Sequence, residues 1–579
     1  MDQQTTTGVH PTAAPAAALL EAEASSSVAR TAARRHARTW SILLVALLAA
    51  GVLWRIVRYA LGFPIWGDEA FVAVDFVKRG YAEMIEPLTY GQIVPLVFMW
   101  AELAISRMLG LSEWALRLLP FAAGLASLPL FWRFAQSVLP RRPALLAIGI
   151  FAASVYLVRH AAEVKPYATD MLLALGLLML AWRVYEKRGG AGSWVALIVG
   201  GAAAVWCSYP VIFVLAAIGT LLAWRLVAAD RRKRASRDEP CSGGPTRRTL
   251  LLQTLCYAIA VGGSFVLMYF LYGRPHAQAA SGLTEINMWE RAFPPLALSQ
   301  IWKLPLWLVL IHTDYMLAYP LGGRAPASAF SLLLVVIGAV RLWGTRRDLL
   351  WLLLGPLVFT MLAAAAQKYP YGGSARTSLY MAPAFCLLAG LGLSRVLNYL
   401  AALARIMFKW PHGRTCRVYL TCAAVVLLLI AVGGAIGDAV RPYKEGPVQR
   451  SRAAVDYVVE QTRPGDRWVV FNATERVDYA PWLGDWRGTG AQFVFDVLRF
   501  HPVPLSWAPL PDTVTPDPGG RVWFFAYRGW KVPFPEEQLE GYLGVLTRRL
   551  GQPQMQRFFL KEKEDRIEAI DLYLFEPQG

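Results

Sequence analysis

The chain has 579 residues, of which 56% are hydrophobic and only 17% are charged, and its mean hydropathy is +0.38. This composition excludes a soluble enzyme and predicts a polytopic membrane protein. The formal net charge of +18 does not indicate a nucleic-acid partner, because Lys and Arg concentrate in short loops between apolar runs, where they set orientation in a bilayer.

The N-terminal segment predicts a tail followed by a membrane anchor. Residues 1–38 are rich in Ala, Ser and basic side chains, which is typical of a disordered cytoplasmic tail. The apolar run over about 40–60 is long enough to cross a bilayer and is expected to be an uncleaved signal anchor. Because basic flanks stay inside, we expect a cytoplasmic N-terminus and place Asp68 and Glu69 just outside the inner (plasma) membrane.

Apolar runs along the chain predict about eleven spans, including the anchor. With this number the cytoplasmic connections hold most of the loop Lys and Arg, which satisfies the positive-inside rule. Two further segments, 92–110 and 301–317, contain charged residues and are expected to lie along the outer membrane surface. If both crossed instead, about thirteen spans would result and the LPRRP loop would lie outside. The ten predicted spans after the anchor lie at about 114–138, 143–158, 168–185, 193–208, 210–228, 250–272, 326–343, 349–366, 379–398 and 417–437.

The sequence changes character in its last quarter. Glycines and a proline mark a boundary, and the segment beyond it mixes helical and strand-like patterns. Helices are expected over 450–462 and near 535–550, with strands at RWVVFNA and RVWFFAYR. The predicted fold class is mainly α, with a cytoplasmic tail over 1–38, a polytopic transmembrane helical domain over 39–440 and a small extracytoplasmic α/β domain over 441–579.

The six cysteines do not imply a disulfide framework, because none falls clearly within a long extracytoplasmic segment. The sequence also lacks CxxC and HExxH motifs, so a protein-bound metal has no support. No cofactor is expected.

Three outer loops carry side chains suited to chemistry at a membrane surface. The first holds the acid pair of WGDEAF, the second is the mixed stretch VRHAAEVKPYATD, and the third is the basic and aromatic stretch QKYPYGGSARTSLYMAP. An ionised Asp can take the proton of an attacking hydroxyl, and fixed basic and Tyr side chains can bind a departing phosphate. The loops therefore suit glycosyl transfer from a lipid phosphate. The candidates for binding that phosphate are Lys165, Tyr167, Lys368, Tyr371, Arg376 and Tyr380.

Each of these residues also has a purely structural interpretation. Asp is a favoured N-cap, so Asp68 could cap a helix that begins near Ala70. Basic residues such as Lys165 and Arg376 are common at helix ends, where they anchor to lipid headgroups. On local sequence alone, both interpretations of the basic residues stay open.

The order of four motifs resembles a known family. WGDEAF, LSEWALRLLPFAAG, AAEVKPYATDMLLAL and YPYGGSARTSLYMAPAF follow one another as in GT-C type bacterial membrane glycosyltransferases. The resemblance is to the superfamily of dolichyl-phosphate-mannose protein mannosyltransferases and aminoarabinose transferases, and it covers roughly 40–440. It implies a GT-C fold and an inverting transferase that uses a polyprenyl-phosphate-linked sugar on the extracytoplasmic side.

The same resemblance implies roles for particular residues. The catalytic carboxylate maps to Asp68, with Glu69 beside it, and a second acid maps to Glu163. Where the family has Arg in an E-x-R-P-Y pattern, this chain has Lys165, which keeps the charge but loses the bidentate geometry. The implied partners are a polyprenyl-phosphate sugar donor and membrane lipids.

Two other classes of membrane protein remain open from the residues themselves. A transporter or flippase for lipid-linked saccharides would place acids mid-membrane and show discontinuous helices, whereas these acids cluster at one face. A polymerase or ligase of lipid-linked saccharides shares the basic outer loops, and a non-enzymatic assembly protein is a third alternative. The sequence identifies neither the sugar nor the acceptor.

Overall fold

The computed structural model describes residues 40–186, 190–235, 247–281, 290–323, 326–440, 446–471, 489–507, 509–528, 536–563 and 566–577. The predicted N-terminal tail lies outside these residues, as does much of the basic loop between 236 and 246.

Helices make up most of the described chain. The first eleven helices are α1 (Trp40–Ala60), α2 (Gly67–Lys78), α3 (Leu96–Leu109), α4 (Glu113–Leu116), α5 (Leu118–Val138), α6 (Arg141–Ala153), α7 (Val155–His160), α8 (Tyr167–Tyr185), α9 (Ala191–Cys207), α10 (Val211–Ala235) and α11 (Arg247–Met268). The next seven are α12 (Arg274–Ser281), α13 (Leu304–Thr313), α14 (Pro326–Trp343), α15 (Arg347–Ala365), α16 (Ala382–Phe408), α17 (His412–Val440) and α18 (Gly446–Gln461).

Nine helical runs within the described residues are long and apolar enough to cross a membrane. They are α1, α5, α8, the first part of α10, the continuous run α11–α12, α14, α15, the run that ends in α16, and most of α17. Two more predicted spans correspond to the shorter helices α6 and α9. The protein is therefore a polytopic helical membrane protein, while the exact number of spans stays a prediction.

The two segments predicted to lie on the membrane surface form short helices. Helix α3 has 14 residues and α13 has 10, fewer than the roughly 20 that a spanning helix needs. Their depth in the bilayer stays a prediction.

The segment expected as one span over 143–158 is not one continuous helix, and whether it crosses the membrane stays a prediction. Helix α6 ends at Ala153, and Ser154 has an extended backbone with φ −68° and ψ 116° before α7 begins at Val155. This break separates the short helix α7 from α6.

Glycines allow close packing between membrane helices. A Cβ atom added at Gly390 of α16 would lie 2.5 Å from the Ala147 nitrogen of α6, and one at Gly392 would collide with the Leu334 carbonyl of α14. Small residues let helix backbones approach closely where lipid offers no hydrophobic driving force. Helix α16 is thus fixed between α6 and α14.

A five-stranded sheet follows the membrane helices. Its strands are β1 (Arg467–Phe471), β2 (Leu505–Trp507), β3 (Val522–Arg528), β4 (Gln554–Lys563) and β5 (Arg566–Phe575), in the order β2-β1-β3-β5-β4. Strands β2, β1 and β3 are parallel, whereas β5 and β4 are antiparallel to their neighbours. The helices of this unit after α18 are α19 (Thr489–Phe500) and α20 (Glu536–Leu550). The predicted fold class, mainly α with a small C-terminal α/β unit, is confirmed.

Helix α19 packs against α2 and against the loop before α4. The Arg499 guanidinium donates to the Leu111 carbonyl at 2.7 Å and to the Glu113 carboxylate at 2.6 Å. Arg452 of α18 also reaches Glu113, at 3.2 Å. The sheet unit is therefore joined directly to the helix that begins with the acid pair.

Candidate active site

Glu69 caps the N-terminus of α2 and connects it by hydrogen bonds to two other segments. Its carboxylate accepts hydrogen bonds from the backbone N–H of Trp66 at 3.2 Å and of Val164 at 2.8 Å. The Arg117 guanidinium donates to both oxygens, at 2.9 Å and 2.6 Å. Glu69 is fully buried. Four hydrogen bonds to one buried carboxylate describe a structural clamp between α2, the start of α5 and the loop before α8.

The expected helix start near Ala70, with Asp68 as the cap, is wrong. Helix α2 begins at Gly67, and the side chain that caps it belongs to Glu69. The carboxylate in the third position of a helix can reach back to the N-cap nitrogen. Asp68 therefore does not supply this cap bond, and its carboxylate faces other loops.

Asp68 lies between two cations from distant parts of the chain. Its Oδ2 is paired with the Arg376 guanidinium, and its Oδ1 is 3.4 Å from the Lys165 ammonium. The Lys165 ammonium also donates to Gln92 Oε1 at 2.8 Å. The Asp68 side chain keeps 14% of its surface exposed, against none for Glu69. The three predicted outer loops therefore do meet, at the Asp68 carboxylate.

Lys165 is a buried cation. Burial lowers the pKa of its ammonium, and attraction from the Asp68 carboxylate partly opposes this effect. Glu163, in the same loop, also favours the charged form of Lys165. The Glu163 Oε2 atom lies at hydrogen-bond distance, 2.8 Å, from His160 Nδ1. The charged form of Lys165 thus depends on carboxylates around it.

Tyr167 lies beside this group at the start of α8. It is within electrostatic range of Arg376, Asp68 and Glu163, and its ring meets the His160 ring edge-on with centroids 5.5 Å apart.

A double-glycine turn positions Arg376. Gly372 and Gly373 have φ values of 77° and 74°, a left-handed conformation that glycine adopts without strain. A Cβ atom added at Gly373 would lie 2.9 Å from Ala292 Cβ, and the Tyr371 N–H donates to the Ala292 carbonyl at 2.9 Å. The segment around Ala292 therefore fixes the loop that ends at Arg376.

The other predicted phosphate ligands have different surroundings. The Tyr371 hydroxyl is 3.1 Å from His312 Nε2. The Tyr380 hydroxyl is buried and hydrogen-bonds with Thr360 of α15, and Lys368 is exposed.

The sequence did not identify two residues that contact predicted site residues: Arg117, which contacts Glu69, and Gln92, which contacts Lys165. Arg117 lies inside the quoted motif LSEWALRLLPFAAG, and a lone Arg in an apolar stretch is a signal for a buried ion pair. Gln92 carried no such signal, because a neutral polar residue in a loop is unremarkable without its neighbours.

Residues 93–237 match the family model described as dolichyl-phosphate-mannose-protein mannosyltransferase. The predicted resemblance is confirmed at this level. The match covers about a quarter of the chain and includes Arg117 and Lys165, whereas Asp68 and Arg376 lie outside it. A comparison with curated proteins finds no match.

Several solved structures are similar in overall shape. ArnT from Cupriavidus metallidurans in the apo state has a TM-score of 0.46 and 14% identity, over 93% of this chain and 98% of that one. The same protein bound to undecaprenyl phosphate has a TM-score of 0.48 and 13% identity, over 92% and 98%. The oligosaccharyltransferase of Archaeoglobus fulgidus, in complex with Zn and sulfate, has a TM-score of 0.45 and 13% identity, over 78% and 61%. All three similarities are distant.

Proposed function

We propose that this protein is an inverting membrane glycosyltransferase that moves a sugar from a polyprenyl-phosphate donor to an acceptor hydroxyl on the extracytoplasmic side of the inner membrane. The observation that carries the proposal is the Asp68 carboxylate between the Arg376 guanidinium and the Lys165 ammonium. One acid and two cations are the groups that this transfer requires.

Asp68 acts as the general base. The acceptor hydroxyl gives its proton to the Asp68 carboxylate while its oxygen attacks the anomeric carbon of the donor sugar. The bond from that carbon to the phosphate oxygen breaks, and its electron pair leaves with the phosphate. A single displacement of this kind inverts the configuration at the anomeric carbon.

Arg376 and Lys165 receive the leaving phosphate. A planar guanidinium can donate two hydrogen bonds to one phosphate, and an ammonium supplies a compact second charge. Both cations contact Asp68, so a phosphate that draws them toward itself frees the carboxylate to accept a proton. Donor binding then prepares the base.

The neighbouring residues support these three. Glu69 positions α2 through Arg117 and Val164, Glu163 stabilises the charged form of Lys165, and Tyr167 offers a hydroxyl beside the phosphate. Lys368, Tyr371 and Tyr380 stay predictions as further donor ligands.

The location of the group favours a transferase over a transporter. Asp68 lies in the first turn of α2, Lys165 two residues before α8, and Arg376 at the start of the turn before α16. Substrate acids of transporters lie near mid-membrane in broken helices. A cluster at helix ends suits transfer between a lipid headgroup and an acceptor at the surface.

The experiment compares the lipids and glycans of a strain that lacks the gene with those of strains complemented by wild type or by Asp68→Asn. We expect one product, heavier by a sugar, to be absent from the deletion strain, restored by wild type and not restored by Asp68→Asn at equal protein level. Asp348→Asn is the matched control, since Asp348 is also an acid in the first turn of a long helix, α15. Full restoration by Asp68→Asn would overturn the proposal.

A further inference from the structure

The backbone carbonyl of Val94 accepts hydrogen bonds from two tyrosines, one after α9 and one after α11. The Tyr272 hydroxyl donates to it at 2.9 Å, and the Tyr209 hydroxyl at 3.4 Å. Tyr209 lies between α9 and α10. Tyr272 is fully buried and belongs to the π-helical turn Tyr269–Gly273 that joins α11 to α12. A π-helical turn is rare and often marks a functional region.

The segment around Val94 is stiff for two further reasons. Val94 precedes Pro95, which restricts its backbone to extended conformations, and Pro95 is the N-cap of α3. Tyr90 packs on Phe71 of α2 with ring centroids 5.3 Å apart. The intervening residues are therefore fixed at both ends.

Gln92 lies in this fixed segment. Its side-chain carbonyl accepts the hydrogen bond from Lys165, at 2.8 Å, and Lys165 in turn lies 3.4 Å from Asp68. Gln92 is half-buried. The π-helical turn is thus connected to the candidate base through its hydrogen bond to Val94, the short backbone from Val94 to Gln92, and the contacts of Gln92 with Lys165 and of Lys165 with Asp68.

We propose that Gln92 is a positioning residue for Lys165 in the donor-phosphate site, and that the π-helical turn between α11 and α12 holds Gln92 in place through Tyr272. The inference rests on the proposed glycosyl transfer. Lysine has a flexible four-carbon stem and a point charge without preferred direction. A fixed acceptor at Gln92 gives this lysine the direction that an arginine fork would have by itself.

Gln92 is one of several groups that face the Lys165 ammonium. Asp68 on α2 and Glu163 in the same loop favour its charged form, and Arg376 opposes it. Burial lowers the Lys165 pKa further. Gln92→Leu leaves the other three groups in place, so its effect reports this one hydrogen bond.

The first test uses Gln92→Leu and Gln92→Glu. Donor binding is measured with undecaprenyl phosphate as the probe, and transfer is measured from the polyprenyl-phosphate sugar that supports wild-type turnover, both across alkaline pH. Losing a charge-assisted hydrogen bond should raise the donor KM and the probe Kd roughly tenfold in Gln92→Leu, with a smaller change in kcat.

The pH dependence distinguishes this role from a merely structural one. An acceptor favours the charged lysine, so the alkaline loss of donor binding should move to lower pH in Gln92→Leu. In Gln92→Glu the added carboxylate should move it to higher pH. Unchanged profiles in both variants, with an active wild type, would overturn the role of Gln92.

The second test compares Tyr272, in the π-helical turn, with Tyr257 of α11. Tyr272→Phe removes the bond to Val94, whereas Tyr257→Phe removes a buried bond of similar length, 2.8 Å, to the Leu215 carbonyl. We expect a donor KM about threefold higher in Tyr272→Phe, the loss of roughly one neutral hydrogen bond, and no change in Tyr257→Phe. Equal effects in the two variants would overturn the link to the π-helical turn.

A double variant tests whether Gln92 and Tyr272 act through the same contact or independently. In the double variant Gln92→Leu and Tyr272→Phe, the effect should be less than the sum of the single effects, because both act on the same contact. If wild type neither binds undecaprenyl phosphate nor transfers a sugar, the proposed function itself fails, which is a different result from normal transfer by every variant.

Discussion

The two carboxylates that follow α1 are adjacent in sequence and opposite in environment. Glu69 is fully buried, and four hydrogen bonds from Trp66, Arg117 and Val164 surround it. Asp68 keeps part of its surface exposed, and its carboxylate contacts the long side chains of Arg376 and Lys165. A saturated carboxylate holds structure together, whereas one whose partners can move to a ligand can take part in a reaction.

The largest expected effect is the loss of turnover in Asp68→Asn. The amide keeps the size of the side chain but cannot accept a proton, so transfer should fall by about a hundredfold to ten thousandfold. Glu69→Gln should lose less activity and more stability, and a reversal of these two patterns would break the comparison.

A second test concerns the clamp. Arg117→Leu leaves the Glu69 carboxylate buried without its cation, which should destabilise the protein by about 3–5 kcal/mol. Arg346→Leu is the control, because the pair of Arg346 with Glu186 is a third exposed on the Arg346 side and such pairs contribute about 0–1 kcal/mol. Denaturant or thermal unfolding in detergent measures both variants. Similar losses would show that Glu69 does not depend on Arg117.

A third test sharpens the assignment of Arg376. Arg376→Ala should weaken binding of undecaprenyl phosphate by roughly tenfold to a hundredfold, since a charged hydrogen bond to phosphate is lost. Arg376→Lys should retain part of the affinity, because the charge survives and the fork does not. Titration of the purified variants measures this, and wild-type affinity in both would assign Arg376 to membrane anchoring.

The last prediction concerns a third carboxyl, Glu102 of α3. It is fully buried, and neither of its oxygens has a hydrogen-bond partner among the described residues. Burial raises its pKa well above the ordinary value of 4.5. The folded state then keeps a proton that the unfolded state releases, so stability falls as pH rises from about 4.5 toward the folded pKa, by at most about 1.4 kcal/mol per pH unit.

Glu102→Gln removes this dependence. The variant should match wild type at acidic pH and be more stable at neutral pH, as measured by unfolding at a series of pH values. A wild-type curve parallel to that of the variant would show that Glu102 is ionised and paired.

Sequence alone predicted which loops converge but not how their residues pair. Asp68, Lys165 and Arg376 each follow or precede an apolar run, so topology placed them on one face. The division of roles between Asp68 and Glu69 depends on Arg117, which approaches from α5 and reaches only one of two chemically similar neighbours. No local pattern encodes that choice.

Backbone details were missed for a related reason. The N-cap of α2 is Trp66, a residue without capping propensity, and the cap bond comes from a side chain three residues later. The break at Ser154 lies in a run whose composition is that of a continuous span. In the sheet unit, the two most apolar strands, β1 and β3, were predicted, whereas β5, the partly polar β4 and the three-residue β2 were not.

The packing of α19 on α2 means that the sheet unit and the membrane helices are not independent units. Phe71 and Val74 of α2 belong to the same hydrophobic core as Phe493 and Val497 of α19. A chimera that joined the membrane helices of this chain to the sheet unit of a relative would therefore replace half of the hydrophobic core that α2 shares with the sheet unit. Such a chimera would keep this packing only if α2 and the loop at Leu111 were exchanged together with the sheet unit.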